Sequence, residues 1–142
     1  MKNTILRNAT LLAASLLLVS CGLLEGDEGA VTVSLSPERT SLRDDVALTI
    51  TVANSTAESV WYHGCGQSQE KYEGGAWMPL GAVHCYMQTG GVRVGPGKTY
   101  SESVRLYVQD AGTYRVQAMV VGKRERELSV EARTTNAVTV VP

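Results

Sequence analysis

The chain has 142 residues, 13 basic against 14 acidic side chains, and a net charge of −1. No block of Lys or Arg exists, so there is no electrostatic footprint for nucleic acid. The length supports one domain with a core of its own.

Taken in order, the chain opens with Lys2 and Arg7 and then an uncharged apolar run over residues 9–19. The run is too short to span a bilayer as a helix and has the proportions of a secretory leader. It ends in Leu18-Val19-Ser20-Cys21-Gly22. Charged start, apolar run and box occur in the order of a bacterial lipoprotein signal, and residues 1–22 resemble that family. The resemblance implies removal of residues 1–20 and acylation of Cys21, with membrane lipid as the first partner. Stable attachment needs more than one acyl chain, each buried CH₂ contributing about 0.8 kcal/mol. Gly22 in place of Asp favours, by the same resemblance, the outer over the inner membrane of a bacterial envelope. Residues 23–29 (Leu-Leu-Glu-Gly-Asp-Glu-Gly) then form a short acidic linker.

From residue 30 the apolar period is two, which is the period of strands. Val31, Val33 and Leu35 alternate with polar residues, as do Val46, Leu48, Ile50 and Val52. Residues 36–41 between them read as a turn-rich connection, and Asp44-Asp45 beside Arg43 as a solvated turn. Asn54-Ser55-Thr56 matches a glycosylation sequon but reads as the end of a strand. A short strand follows over 60–62. Residues 70–72 and 76–80 flank Glu73-Gly74-Gly75 as a hairpin, and 83–88 is another extended run.

Gly95-Pro96-Gly97 breaks the chain before a strand over 99–108. Gly97-Lys98-Thr99 imitates the end of a phosphate loop, but Val92 stands where the first Gly is required. A strand over 113–121 follows, with Tyr114, Val116, Ala118 and Val120 on one face. Strands are expected again over 128–130 and 137–141, and no helix after the leader. The fold expected is an all-β antiparallel sandwich of about seven to nine strands, spanning residues 30–142.

One motif sharpens this. Asp110-Ala111-Gly112-Thr113-Tyr114 resembles the Asp-x-Gly-x-Tyr signature of immunoglobulin-like domains. The resemblance implies that Tyr114 opens strand F as a tyrosine corner, its hydroxyl bonding to upstream backbone. Two residues on stands Val116 and not Cys, so the inter-sheet disulfide of antibody domains is absent. The spacing of Cys65, Trp77, Cys85, Pro96-Gly97 and Gly112-Thr113-Tyr114 is also similar to single-domain Ig-like lipoproteins of bacteria.

With Cys21 acylated, Cys65 and Cys85 remain, and an even pair in an exported domain reads as a disulfide. Closing a loop of about 19 residues stabilises by roughly 3 kcal/mol in the chain-entropy account. His63, Cys65, His84 and Cys85 form the one metal-like cluster, suited in residue type to zinc or copper. His84 and Cys85 are neighbours and point to opposite faces of a strand, which disfavours a shared ion. No base–nucleophile pair or nucleophile elbow is present, so no enzyme activity and no cofactor are implied.

Trp61, Tyr62, Tyr72, Trp77 and Tyr86 concentrate in residues 61–87. Such residues are favoured at contact surfaces, although one of the two tryptophans is expected in the core. The reading is a lipid-anchored domain of non-catalytic binding or structural role, with a protein or saccharide partner held near the Cys65–Cys85 pair. Metal handling through His63 and His84, and protease inhibition by analogy of fold, are the alternatives.

Overall fold

A computed structural model describes residues 30–43, 46–82 and 90–142. Among the described residues nine strands run in the order β1 (Val31–Ser36), β2 (Arg39–Ser41), β3 (Val46–Asn54), β4 (Val60–Glu73), β5 (Ala76–Ala82), β6 (Val92–Val94), β7 (Lys98–Leu106), β8 (Gly112–Val121) and β9 (Val138–Val141). They form two sheets. One is three-stranded in the order β1-β3-β7; the other runs β2-β9-β8-β4-β5, with β6 also paired to β4.

The sheets face each other because the period-two pattern gives each strand one apolar side. In β1 and β3 the inward residues are Val31, Val33, Leu35, Val46, Leu48, Ile50 and Val52, all buried. The facing sheet contributes Val60, Tyr62, Tyr114, Val116, Ala118, Val120, Val138 and Val140. Each fully buried aliphatic side chain contributes about 1.5–3 kcal/mol to holding the layers together. Strands β1, β3 and β7 against β9, β8 and β4 is the arrangement of an immunoglobulin-like sandwich. All pairings are antiparallel except β2 with β9, which is parallel.

Four expectations are corrected. Residues 39–41 are not part of a plain connection: they form β2, whose hydrogen bonds go to a strand a hundred residues away and leave no local signal. The pieces expected at 60–62 and 70–72 are one strand of 14 residues. It continues through Gly64-Cys65-Gly66 as a bulge, where the pairing with β8 jumps between His63 and Ser68. Gly66 has φ +85°, a conformation that favours glycine. Residues 128–130 are not a strand: Val130–Arg133 forms a one-turn helix, α1, which the Ser129 hydroxyl caps by accepting from the Ala132 N–H (3.3 Å). Finally, neither tryptophan is in the core. Trp61 and Trp77 are half-buried, and the buried aromatics are Tyr62 and Tyr114.

Candidate functional site

Tyr114 enters the core from the start of β8, and its hydroxyl donates back to the Asp110 main-chain carbonyl (2.8 Å) and carboxylate (3.0 Å). Burial first, and the Asp110 carboxylate second, raise its pKa. Asp110 is also paired with Lys71 Nζ at 2.8 Å. That ammonium, followed by the Tyr114 hydroxyl, holds the Asp110 carboxyl below the usual range. Lys71, also bonded to Glu73, is raised above the ordinary lysine value by these two carboxylates, Asp110 first. Gly112 leaves the room: a Cβ there would stand 3.0 Å from the Lys71 Cε and 3.4 Å from the Tyr114 ring.

On the outer face of the larger sheet, β4, β5 and β8 bring together residues that are distant in sequence. Tyr72 and Trp77 pair across the β4–β5 hairpin, with ring centres 5.2 Å apart. The Arg115 guanidinium lies 4.2 Å from the centre of the Trp77 ring. Its Nε donates to Glu70 (2.5 Å), and the other Glu70 oxygen accepts from Gln117 Nε2 (3.0 Å). A cation over an aromatic face is attracted by about 0.5–1 kcal/mol at an exposed site. The Arg115–Glu70 ion pair also fixes the guanidinium in that position. The result is a surface of preset shape with Tyr72, 48% exposed, at its edge.

Of the aromatics singled out from the sequence, Tyr72 and Trp77 belong to this surface. Trp61 lies at the other end of β4, beside Arg93 on β6. Tyr62 is corrected: it is fully buried and cannot contact a partner. It alternates with Trp61 and so points into the core, where its hydroxyl donates to Glu102 (2.7 Å). Tyr100 donates to the same carboxylate (3.0 Å). Burial first, then Glu102, pushes the Tyr62 hydroxyl far above the ordinary phenol value. Gly64 makes space for Glu102, since a Cβ there would stand 2.8 Å from its oxygen.

Tyr86, His84 and Cys85 lie outside the described residues, as do Cys21 and Asp44-Asp45. His63 is half-buried on β4 against Gly91, where a Cβ would meet its ring at 2.6 Å. Cys65 is half-buried in the bulge. Among the described residues no group of three or more His, Cys, Asp or Glu is placed to hold a metal ion. Gly97-Lys98-Thr99 is a turn with Gly97 at φ +65° leading into β7.

Glu70, Arg115 and Gln117 were not singled out from the sequence. Their signal was there in part: with Tyr114, Val116 and Ala118 inward, Arg115 and Gln117 had to face out. What could not be read was that β8 lies beside β4, which places Arg115 opposite Glu70.

No family model matches the chain, and no curated protein matches it. Among solved structures it is similar to the CARDB domain of a Pyrococcus furiosus protein in solution. That match has 18% identity and a TM-score of 0.40, and covers 78% of this chain and 94% of the other. A crystal structure of that domain in complex with di-metal ions gives 18%, 0.43, 81% and 90% in the same order. The Pseudomonas fluorescens alkylpurine DNA glycosylase AlkC, bound to DNA containing an abasic site analog, gives 12%, 0.42, 80% and 31%. None of these likenesses bears on what this chain binds.

Proposed function

We propose that the protein is an exported lipoprotein, anchored through acylated Cys21, whose Ig-like domain holds a partner without catalysing a reaction. The contact surface is the Tyr72–Trp77–Arg115 face. The observation that carries this is the stacking of Arg115 on Trp77 outside the core, locked by Glu70. Trp, Tyr and Arg are the residues that dominate binding energy at protein interfaces, and preset side chains lose little entropy on binding. The face lies toward the end of the sandwich opposite Ala30: β1 leaves Ala30 beside Asn54, whereas Tyr72 and Trp77 sit level with the first residues of β8. A tether at one end and a contact face at the other suit a domain that presents itself away from a membrane.

A Cys65–Cys85 disulfide completes the reading. It is supported by the even pair that Cys65 and Cys85 make once Cys21 is acylated, and by oxidation being favoured in exported domains. Two experiments test the whole. Cys21→Ala should move the protein from the membrane to the soluble fraction of the cell. A photo-crosslinking residue at position 72 should give one discrete adduct in intact cells, lost when Arg115→Ala is added, while the same residue at exposed Thr32 gives none. Adducts of equal yield at both positions would dismiss the face as a contact site.

A further inference from the structure

We propose that the end of the sandwich carrying Ala30 is a cationic cap that seats on anionic phospholipid headgroups. The proposal rests on the anchored reading above, because the tether sets which end meets the bilayer.

Three turns converge at that end: residues 54–59, 95–97 and 122–127. The Ser55 N–H donates to the Ala30 carbonyl (3.0 Å), and the Gly97 N–H donates to the Asn54 carbonyl (2.8 Å). Lys123 Nζ reaches Glu58 at 2.9 Å. The chain therefore enters the domain among these turns. These turns and the adjoining ends of β6 and β7 carry exposed Arg93, Lys98, Lys123, Arg124 and Arg126 against exposed Glu58, Glu125 and Glu127. Two of the carboxylates are already engaged, Glu58 by Lys123 and Glu127 by Arg133 (3.1 Å). Arg93 Nε donates to the neutral Ser59 hydroxyl (3.0 Å). Among the described residues at this end, Arg93, Lys98, Arg124 and Arg126 then stand against one unengaged carboxylate, Glu125, in a chain whose overall balance is acidic.

Half-buried Trp61 lies beside these cations. With Arg93, Pro96 and Lys123 it lines a depression of about 390 Å³. Tryptophan is the side chain favoured at headgroup depth. A tether of residues 22–29 reaches at most about 28 Å, so the cap stays close to the bilayer. Each cation near an anionic surface is worth about a fivefold change in occupancy, within a screening length of about 8 Å at physiological salt. Glu25, Asp27 and Glu28 of the tether compete for the same cations. A bilayer outnumbers them with a continuous layer of phosphates, and the competition keeps the contact reversible.

The test uses two preparations. One is the chain extracted from membranes, its acylation read by intact mass. The other is the Cys21→Ala chain held on vesicles by an N-terminal histidine tag and a nickel-chelating lipid. Each is made with Trp61 as sole tryptophan (Trp77→Phe) and with Trp77 as sole tryptophan (Trp61→Phe). Vesicles of phosphatidylglycerol or phosphatidylcholine carry a quencher at headgroup level. Trp61 should be quenched on the anionic vesicles in both preparations, and Trp77 on neither. Raising salt from about 10 mM to about 1 M, which shortens screening from about 30 to about 3 Å, should abolish the quenching. Arg124→Glu with Arg126→Glu should lower the docked-to-free ratio about 25-fold or more. Equal quenching on both vesicle types, or quenching unmoved by the two reversals, would overturn the proposal. An unmodified Cys21 by mass, with the tagged chain still docking, would sink the anchor and spare the cap.

Discussion

Asn54 ties the 54–59 turn to the end of β6 through one buried amide. Its Nδ2 donates to the carbonyls of Glu58 (2.7 Å) and Val94 (2.9 Å), and its Oδ1 accepts from the Thr56 N–H (3.0 Å) and hydroxyl (2.7 Å). Removing one partner of a buried bond costs about 1–3 kcal/mol. Asn54→Ala should therefore lower the unfolding free energy by about 2–3 kcal/mol in urea melts. Tyr114→Phe, which loses a single hydroxyl donor, should cost about 1 kcal/mol by the same measurement.

The Lys71–Asp110 pair gives these residues a pH signature. Asp110 is held below its ordinary value of 3.8 in the folded chain, so its stabilisation is present above that value. It is lost as pH falls through the lower, folded value. Lys71 is raised above 10.5, so its contribution is complete below that pH and fades as pH rises through the folded value. Asp110→Asn should flatten the acid limb of the melting temperature against pH and leave the shape between pH about 6 and 8 unchanged. An acid limb identical to the parent's would exclude the pair as its source.

At the scale of elements, the three-stranded sheet has two edges, and an amide side chain closes each. Beside β7, Gln69 Nε2 donates to the Arg105 carbonyl (2.6 Å) and Gln69 Oε1 accepts from the Tyr107 N–H (2.8 Å). Beside β1, Asn136 accepts from the Leu35 N–H (2.7 Å) and donates to its carbonyl (3.1 Å). Each amide takes the place a neighbouring backbone would occupy, which blunts an edge open to pairing with another chain. On the larger sheet, β5 carries Pro79, which lacks the N–H a new strand would need. Gln69→Leu should lose about 1–3 kcal/mol and raise the proportion of dimer and larger species on gel filtration. A purely monomeric variant with the stability loss would show that the amide braces the sheets without guarding the edge.

These elements also show what the residues alone disclose. Strands β1, β3 and β8 were legible because one side of each packs on the core and every second residue reports it. The middle of β4 was not, because Gly64-Cys65-Gly66 lacks apolar alternation and the bulge resets it. The one-turn α1 is too short for a helical period, leaving only the Ser129 cap as a sign. The candidate site divides in the same way. Tyr72 and Trp77 were visible as an aromatic-rich segment, whereas Glu70 and Arg115 become partners only once β4 and β8 are neighbours.

For the whole molecule, unequal sheets leave a specific asymmetry. The larger sheet extends past the smaller one, and Leu80, Tyr107, Lys71 and Arg105 line a groove of about 670 Å³ at the end of the sandwich far from Ala30. The stacked Arg115 and Trp77 lie across the larger sheet from that groove, so both features of the far end sit on one hairpin. Gly74 and Gly75, at φ +59° and +89°, form its turn. Replacing both with Ala strains backbone that only glycine adopts freely. It should disturb the Tyr72–Trp77 pair, read as a change in near-ultraviolet circular dichroism, while far-ultraviolet signal from the sheets is retained.

The commitment of both Asn54 amide hydrogens has a practical corollary for making the protein. Asn54-Ser55-Thr56 is an acceptor tripeptide wherever an oligosaccharyltransferase meets the nascent chain. A sugar on that nitrogen would displace a hydrogen already donated to a carbonyl. Production through a eukaryotic secretory route should then divide the product into a native, sugar-free pool and a glycosylated pool that fails to fold. A cytoplasmic or bacterial host avoids the division.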